Sequence, residues 1–346
     1  MNQNPSVLSR LKSRLLELSP KEASFSRRSF PGRSSGSRGH LEKIIGTFIE
    51  GYNVAVASSD PVQLTQRLDA SFSPAFVGFA YEGAGLCFGL TDLLIPRSES
   101  RLAAFTRSAG ARHDFITMVG AGFAIARTPF GLRRLESYQR SLDPMNSWCI
   151  ADGYGFHQGF FHWKRFIEAR QPAPEILSAQ NRRLFDAGVG RSMWWVFGAE
   201  PRSIAAAISR FDSDRRPEMW TGIGTALAYA GGGPRGAASL LFDLAGPFRS
   251  YLLGGIPLAA HMRYKGQNPA EWTDEVCLTL LNLSAAETSD IVLTEVNNYL
   301  DSWQGSEQDK WSGFYVALRD RVVRRFDNSS RPFDSLAFAK GACGEK

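Results

Sequence analysis

The chain has 346 residues, of which 43% are hydrophobic and 12% aromatic, with four cysteines and a formal net charge of +6. Such a composition supports one large core or two ordinary ones, and it excludes disordered, collagen-like and disulfide-stapled scaffolds. The charge excess is local, because residues 1–43 hold nine Lys/Arg against three Asp/Glu and the remainder is balanced.

Residues 1–39 carry Arg10, Lys12, Arg14, Arg27, Arg28, Arg33 and Arg38 among serines and glycines. They are expected to form a solvated basic arm, suited by charge to an anionic membrane surface, an acidic partner or nucleic acid. No apolar run between Met1 and Gly39 has the form of a secretory signal. The most apolar stretch, Phe115 to Ala126, is 12 residues long, below the roughly 18 needed to cross a bilayer. Cys87, Cys149, Cys277 and Cys343 are scattered, as in a reducing compartment. The expected location is cytoplasmic, peripheral to a membrane at most.

Residues 40–300 are organised by a repeat. G-x-G occurs at Gly83/Gly85, Gly120/Gly122, Gly153/Gly155, Gly188/Gly190 and Gly222/Gly224, at intervals of 37, 33, 35 and 34 residues. Degenerate copies at Gly51 and Gly255 extend the series by 32 and 33 residues. Each copy lies in an apolar, helix-compatible stretch, so close approach of a neighbouring helix is the expected role of the glycines. Second helical patterns lie between copies, as at Ile204, Ile208 and Phe211 after Pro201, and at Trp272, Val276 and Leu280 after Pro269. The spacing predicts an all-α fold of stacked helical hairpins of about 34 residues, either an α-solenoid or an α/α toroid. Gly231-Gly232-Gly233 falls outside the series and reads as a turn. Over residues 301–327, Trp311, Tyr315, Leu318, Val322 and Phe326 form one stripe of a capping helix, and residues 328–346 read as a loose tail.

The groups that could carry chemistry cluster at the glycine copies. Asp152 to Trp163 combines an acid, His157, His162 and five aromatic residues. The two histidines stand five apart, about 140° around a helix, so they cannot clamp one metal. Oriented by Asp152, either one could serve as an acid–base group; the competing reading is a histidine satisfied within helix packing. The next copy offers Asp186, Arg191, Trp194 and Trp195, with Arg191 expected in an ion pair with Asp186 or another acid, and with one tryptophan as a ligand wall and the other in the core. Aligning the copies by first glycine places Glu50, Glu82 and Asp152 in one frame, a candidate acidic strip with raised pKa values. Phe156, Trp220 and Tyr229 complete the candidate binding residues. No phosphate loop, dinucleotide fingerprint, zinc motif or Ser-His-Asp pattern occurs, so no metal, cofactor or nucleic-acid partner is expected.

Leu15 to Pro20, Phe48 to Asn53, the Asp152–His157 segment, Phe185 through Trp195 and Trp220 through Gly232 together resemble the domain-of-unknown-function 1702 family, which includes the UnbL-type proteins encoded beside enediyne polyketide synthases. The similarity runs from about Leu11 to Phe326, with conservative departures such as Trp195 in place of Phe. The resemblance implies a pathway and partners: an RnfD-like membrane protein and an ASPIC/UnbV-repeat protein. It implies no reaction step. The expected function is that of an accessory protein of enediyne-type polyketide or polyene biosynthesis, binding an elongated apolar intermediate and assisting its tailoring. The alternatives are a non-catalytic adaptor docking pathway proteins at the membrane and an α/α-toroid cyclase-like enzyme.

Overall fold

The computed structural model describes residues 17–95, 98–305 and 314–327. Every regular element among them is helical. In chain order the α-helices are α1 (Arg38–Val56), α2 (Pro61–Ser71), α3 (Pro74–Leu94), α4 (Arg101–Thr106), α5 (Asp114–Arg127), α6 (Gly131–Arg140), α7 (Cys149–Phe161) and α8 (Ala179–Val196). They continue as α9 (Pro201–Ile208), α10 (Arg216–Tyr229), α11 (Ala237–Ala245), α12 (Arg249–Lys265), α13 (Glu271–Leu281), α14 (Ala285–Ser302) and α15 (Phe314–Asp327). Local chemistry sets several starts. Asp60 and Glu200 each accept two backbone N–H bonds ahead of a proline at the first helical position, and Ser284 with Glu287 forms a reciprocal capping box. Pro269 stands just ahead of α13 rather than inside its first turn.

All seven glycine copies lie on helices, and those helices pack side by side in the order α1, α3, α5, α7, α8, α10, α12. The geometry explains why two glycines are needed. Residues two apart on a helix point about 200° apart, so one glycine clears each flank. The first glycine of a copy faces the preceding helix: a Cβ on Gly188 would lie 2.6 Å from Phe156 N, and one on Gly222 would lie 2.7 Å from Arg191 N. The second faces the following helix, as Gly122 does toward Tyr154 N at 2.6 Å and Gly155 toward Phe185 at 2.8 Å. The end helices have one neighbour each within the row and use one glycine of the repeat each. Gly51 faces only α3, and Gly255 faces only α10.

That assignment corrects one frame. Gly51 does the work of a second glycine, 34 residues before Gly85, so Phe48 and not Glu50 is equivalent to Glu82 and Asp152. Glu50 is exposed accordingly.

Neighbouring helices of the row run in the same sense, since Gly85 meets Thr117 while Gly89 meets Ala121, and Gly155 meets Phe185 while Gly159 meets Val189. Return segments carry α2, α4, α6, α9, α11 and α13; between α7 and α8 the return holds only a π turn at Lys164–Glu168. The row then curls back on itself. Arg263, on α12, donates to Ala75 O at 2.7 Å and also to Tyr229 O. His40 Nε2 donates to Ala230 O at 2.7 Å, and Lys265 pairs with Asp114 at 2.6 Å. The sixth and seventh helices thus end against the starts of the first three.

The segment expected as a solvated basic arm is part of the folded body from Leu18 onward. Phe25 and Phe30 are fully buried, with Phe30 edge-on to Phe160 at 5.1 Å. Leu18 and Asn53 exchange hydrogen bonds of 2.9 and 3.0 Å, and Phe25 N donates to Glu42. Residues 1–16 lie outside the described residues, as do Trp311 and the tail at 328–346. The helix expected to cap the repeats is α15, whose Val323 packs on Gly254 of α12 and whose Leu318 and Val322 are buried. Among the described residues no single helix is long and apolar enough to cross a membrane.

The packing predicts opposite outcomes for two alanine substitutions. Gly188→Ala drives a methyl group into the backbone of α7 and should destabilise by about 1–3 kcal/mol or more. Gly46→Ala, in α1 with nothing within 4 Å of the new Cβ, should stabilise by about 0.5–1 kcal/mol through propensity alone. Urea denaturation midpoints distinguish the two.

Candidate functional site

The glycine register also fixes what faces inward. Relative to the second glycine of each copy, the residues three before, one after and five after fall on one helical face between the two cleared flanks. On α5 these are Val119, Phe123 and Arg127; on α7, Asp152, Phe156 and Phe160; on α8, Ala187, Arg191 and Trp195; on α10, Thr221, Thr225 and Tyr229. Every one of these lines one of two internal cavities.

The first cavity, of about 60 Å³, is walled by Phe48 of α1, Phe123 of α5, Phe156, Phe160 and Phe161 of α7, and Trp195 of α8. Leu18, Glu22 and Arg28 of the N-terminal segment cover it. The aromatic walls touch in sequence: Phe48 to Phe123 at 5.0 Å, Phe123 to Phe156 at 5.6 Å, and Phe156 edge-on to Trp195 at 5.1 Å. The second cavity, about 30 Å³, holds Asp152, Cys149, Thr225 and Tyr229. Arg191 and Trp195 line both and divide them.

At that divide lies the charge chemistry. Arg191 donates to Asp152 Oδ1 in an ion pair whose side chains are 9% and 13% exposed, and its guanidinium lies 4.6 Å from the centre of the Phe156 ring. Burial raises the Asp152 carboxyl, and Arg191 opposes that rise. Glu82 is 6% exposed, faces the first cavity and makes no hydrogen bond or ion pair through its carboxyl among the described residues. Burial pushes it up to about 7, with Arg191 pulling down and Asp152 pushing up. Near neutral pH Glu82 is therefore divided between its protonated and ionised forms, beside the Arg191–Asp152 ion pair.

The sequence-derived candidates separate cleanly. Asp152, Arg191, Glu82, Phe156, Trp195 and Tyr229 converge on the two cavities. Arg191 pairs with Asp152; Asp186 instead takes a two-point ion pair from Arg215, with contacts of 3.0 and 2.6 Å, outside both cavities. Trp194 is the core tryptophan, fully buried with Nε1 donating to Gly231 O at 2.8 Å, and Trp220 is buried without lining either cavity. His157 is not oriented by Asp152. Its ring packs between Phe123 and Phe161, Arg127 Nε approaches its Nε2 at 3.4 Å, and Nδ1 has no partner among the described residues. Burial, then Arg127, His162 and Arg28, hold His157 well below the usual histidine range, so it stays neutral at physiological pH. His162 is exposed, with its ring 6.2 Å from that of His157.

Residue-type clustering missed Phe48, Phe123 and Arg127, because none sits in the stretch dense in acids and histidines, and it left Phe160 as one unassigned aromatic within that stretch. The repeat register names all four once each glycine is assigned to its flank.

The family model described as a protein of unknown function (DUF1702) matches residues 7–326. The chain belongs to this family. No curated protein and no solved structure matches it.

Two outcomes follow for the family member in hand. Glu82 binds its proton more tightly folded, at about 7, than unfolded, at 4.5, so it stabilises the fold progressively less as pH rises between those values. Glu82→Gln should therefore leave stability unchanged near pH 4 and raise it by about 3 kcal/mol at pH 8, read by urea titration at both pH values. Arg191→Met leaves Asp152 buried without its cation and should destabilise by about 3–5 kcal/mol at pH 8, a loss that Asp152→Asn in the same chain partly restores.

Proposed function

We propose that this protein is an accessory factor of enediyne-type polyketide or polyene biosynthesis. In this reading it holds an elongated apolar intermediate against the aromatic inner face of its helix row, alongside an RnfD-like membrane protein and an ASPIC/UnbV-repeat protein. The observation that carries the reading is the first cavity: six aromatic side chains around a partly open space, with a single unpartnered carboxyl, Glu82, in its lining. Apolar walls with a few convergent polar groups are the general form of a small-molecule site. An adaptor would instead present a shallow polar concave face.

A volume of about 60 Å³ holds a few atoms of such a ligand. A longer chain enters when the covering segment around Leu18, Glu22 and Arg28 lifts, which extends the aromatic wall toward the surface. Tailoring on this geometry falls to Glu82 and the Asp152–Arg191 pair, because His157 is neutral and faces elsewhere. The closure of the row through Arg263 favours the toroid form of the same idea, in which Glu82 supplies a proton to the bound chain.

Titration with a neutral conjugated probe, the methyl ester of a tetraene fatty acid, tests the reading through quenching of tryptophan fluorescence by way of Trp195. One saturable site is expected. Phe48→Ser should weaken it about tenfold or more, since a buried aromatic ring contributes about 1.5–3 kcal/mol. Absence of saturable quenching in the wild-type protein sinks the proposal.

A further inference from the structure

The rim of the first cavity carries an excess of positive charge that the interior does not use. Arg28 of the covering segment and Arg127 at the end of α5 both line the cavity, and both approach the same ring: their guanidinium carbons lie 4.5 and 5.1 Å from the centre of Phe161. Arg127 has no ion pair among the described residues. Its Nε meets only the neutral His157 ring, at 3.4 Å. The one carboxylate at the rim, Glu22, is already shared, reaching Arg27 at 2.7 Å and Arg28 at 2.6 Å. Two guanidinium groups, Arg28 and Arg127, therefore line the mouth of an aromatic cavity beside one acid, Glu22, which Arg27 also holds from outside the cavity lining. Guanidinium forks match carboxylates in shape as well as charge.

We propose, resting on the cavity reading above, that Arg28 and Arg127 form the receptor for the carboxylate of a long-chain unsaturated acid whose apolar chain lies along Phe123, Phe156 and Phe160. Glu22 holds the ligand's place. It lines the cavity and puts a carboxylate on Arg28, so the rim accepts that group in the present structure, and an incoming acid exchanges with it. The exchange leaves the ties between the covering segment and the body, Leu18 to Asn53 and Phe25 N to Glu42, in place. Deeper in, the Arg191 cation that lines the cavity is already paired with Asp152, so the unpaired guanidinium lies at the rim, on Arg127.

The test compares a conjugated tetraene fatty acid with its methyl ester at pH 7.5, by tryptophan quenching, in three proteins. The wild type should bind the acid about tenfold more tightly than the ester, the scale of one charge-assisted interaction. Arg127→Gln, at an exposed position with no ion pair to break, should bring acid and ester to near parity. Because it also loses the contacts to His157 and Phe161, the comparison is made on the acid-to-ester ratio in folded protein. Glu22→Gln removes the competing carboxylate and should widen the acid's advantage. A merely structural role for Glu22 would change both ligands alike, so the ratio is the informative quantity. Equal binding of acid and ester by the wild type, or an unchanged preference in Arg127→Gln, overturns the head-group site and leaves the apolar cavity reading standing. If neither ligand binds, the cavity reading fails and the head-group site with it.

Discussion

Backbone-to-backbone approach of parallel helices is the constraint on which everything else in this protein depends. At each junction the first glycine of one helix rests on the carbonyl of a fixed position in the helix before it: Phe48, Glu82, Val119, Asp152, Ala187 and Thr221 in turn. Contact this close leaves no room for a side chain on either flank and brings Cα–H groups within reach of carbonyl oxygens. Helical propensity lost at the glycines is offset by dispersion contact along whole helices. Because both flanks are consumed by neighbours, only the faces between them remain to carry large side chains, which is why aromatic rings and charged groups concentrate there.

The same crowding explains how a nearly dry interior tolerates charge. Arg191 is held by Asp152 and by the Phe156 ring, and Arg263 reaches no carboxylate among the described residues, donating instead to the Ala75, Asn268 and Tyr229 carbonyls while lying 4.1 Å from the Tyr229 ring centre. Burial lowers Arg263 to about 10, still far above neutrality, so it remains a cation. A third buried centre joins α8, α10 and α15, where Glu218 accepts from Arg183 at 2.5 Å and from Arg319. Each ion is held by a counter-charge, carbonyl acceptors or an aromatic ring face, the condition under which buried ions persist. Glu82 departs from that pattern, and it is the group that faces open space.

Much of the architecture was legible in the sequence because regular spacing is a geometric signal. The 33–37-residue intervals between first glycines of the full copies reported a row of equivalent helices without any knowledge of side-chain contacts. What they could not report was which flank each glycine clears. Hence Glu50 was placed in the acidic frame when Gly51 belongs to the other register, and the aromatic positions Phe48 and Phe123 went unnoticed. The Asp152–His157 pairing failed for a related reason. Five residues along a helix rotate the histidine to the flank occupied by α5, where Phe123 and Arg127 receive it. Proximity in sequence signalled chemistry, whereas the helical angle decided contact. Arg28 could not be found by periodicity, since its place over Phe161 is set by a non-repeating segment that crosses the row.

The tie made by Arg263 has an evolutionary consequence. Open stacks of helical hairpins gain or lose whole units with little penalty, because each unit touches only its neighbours. Here the last helix of the row must deliver one guanidinium to Ala75 O near the start of α3 and to Tyr229 O at the end of α10. Duplicating or deleting a hairpin would carry that group past its acceptors and strand a buried cation. The number of repeats is therefore locked, and change within this lineage must proceed by substitution on the inward face, leaving unit count fixed while the lining drifts.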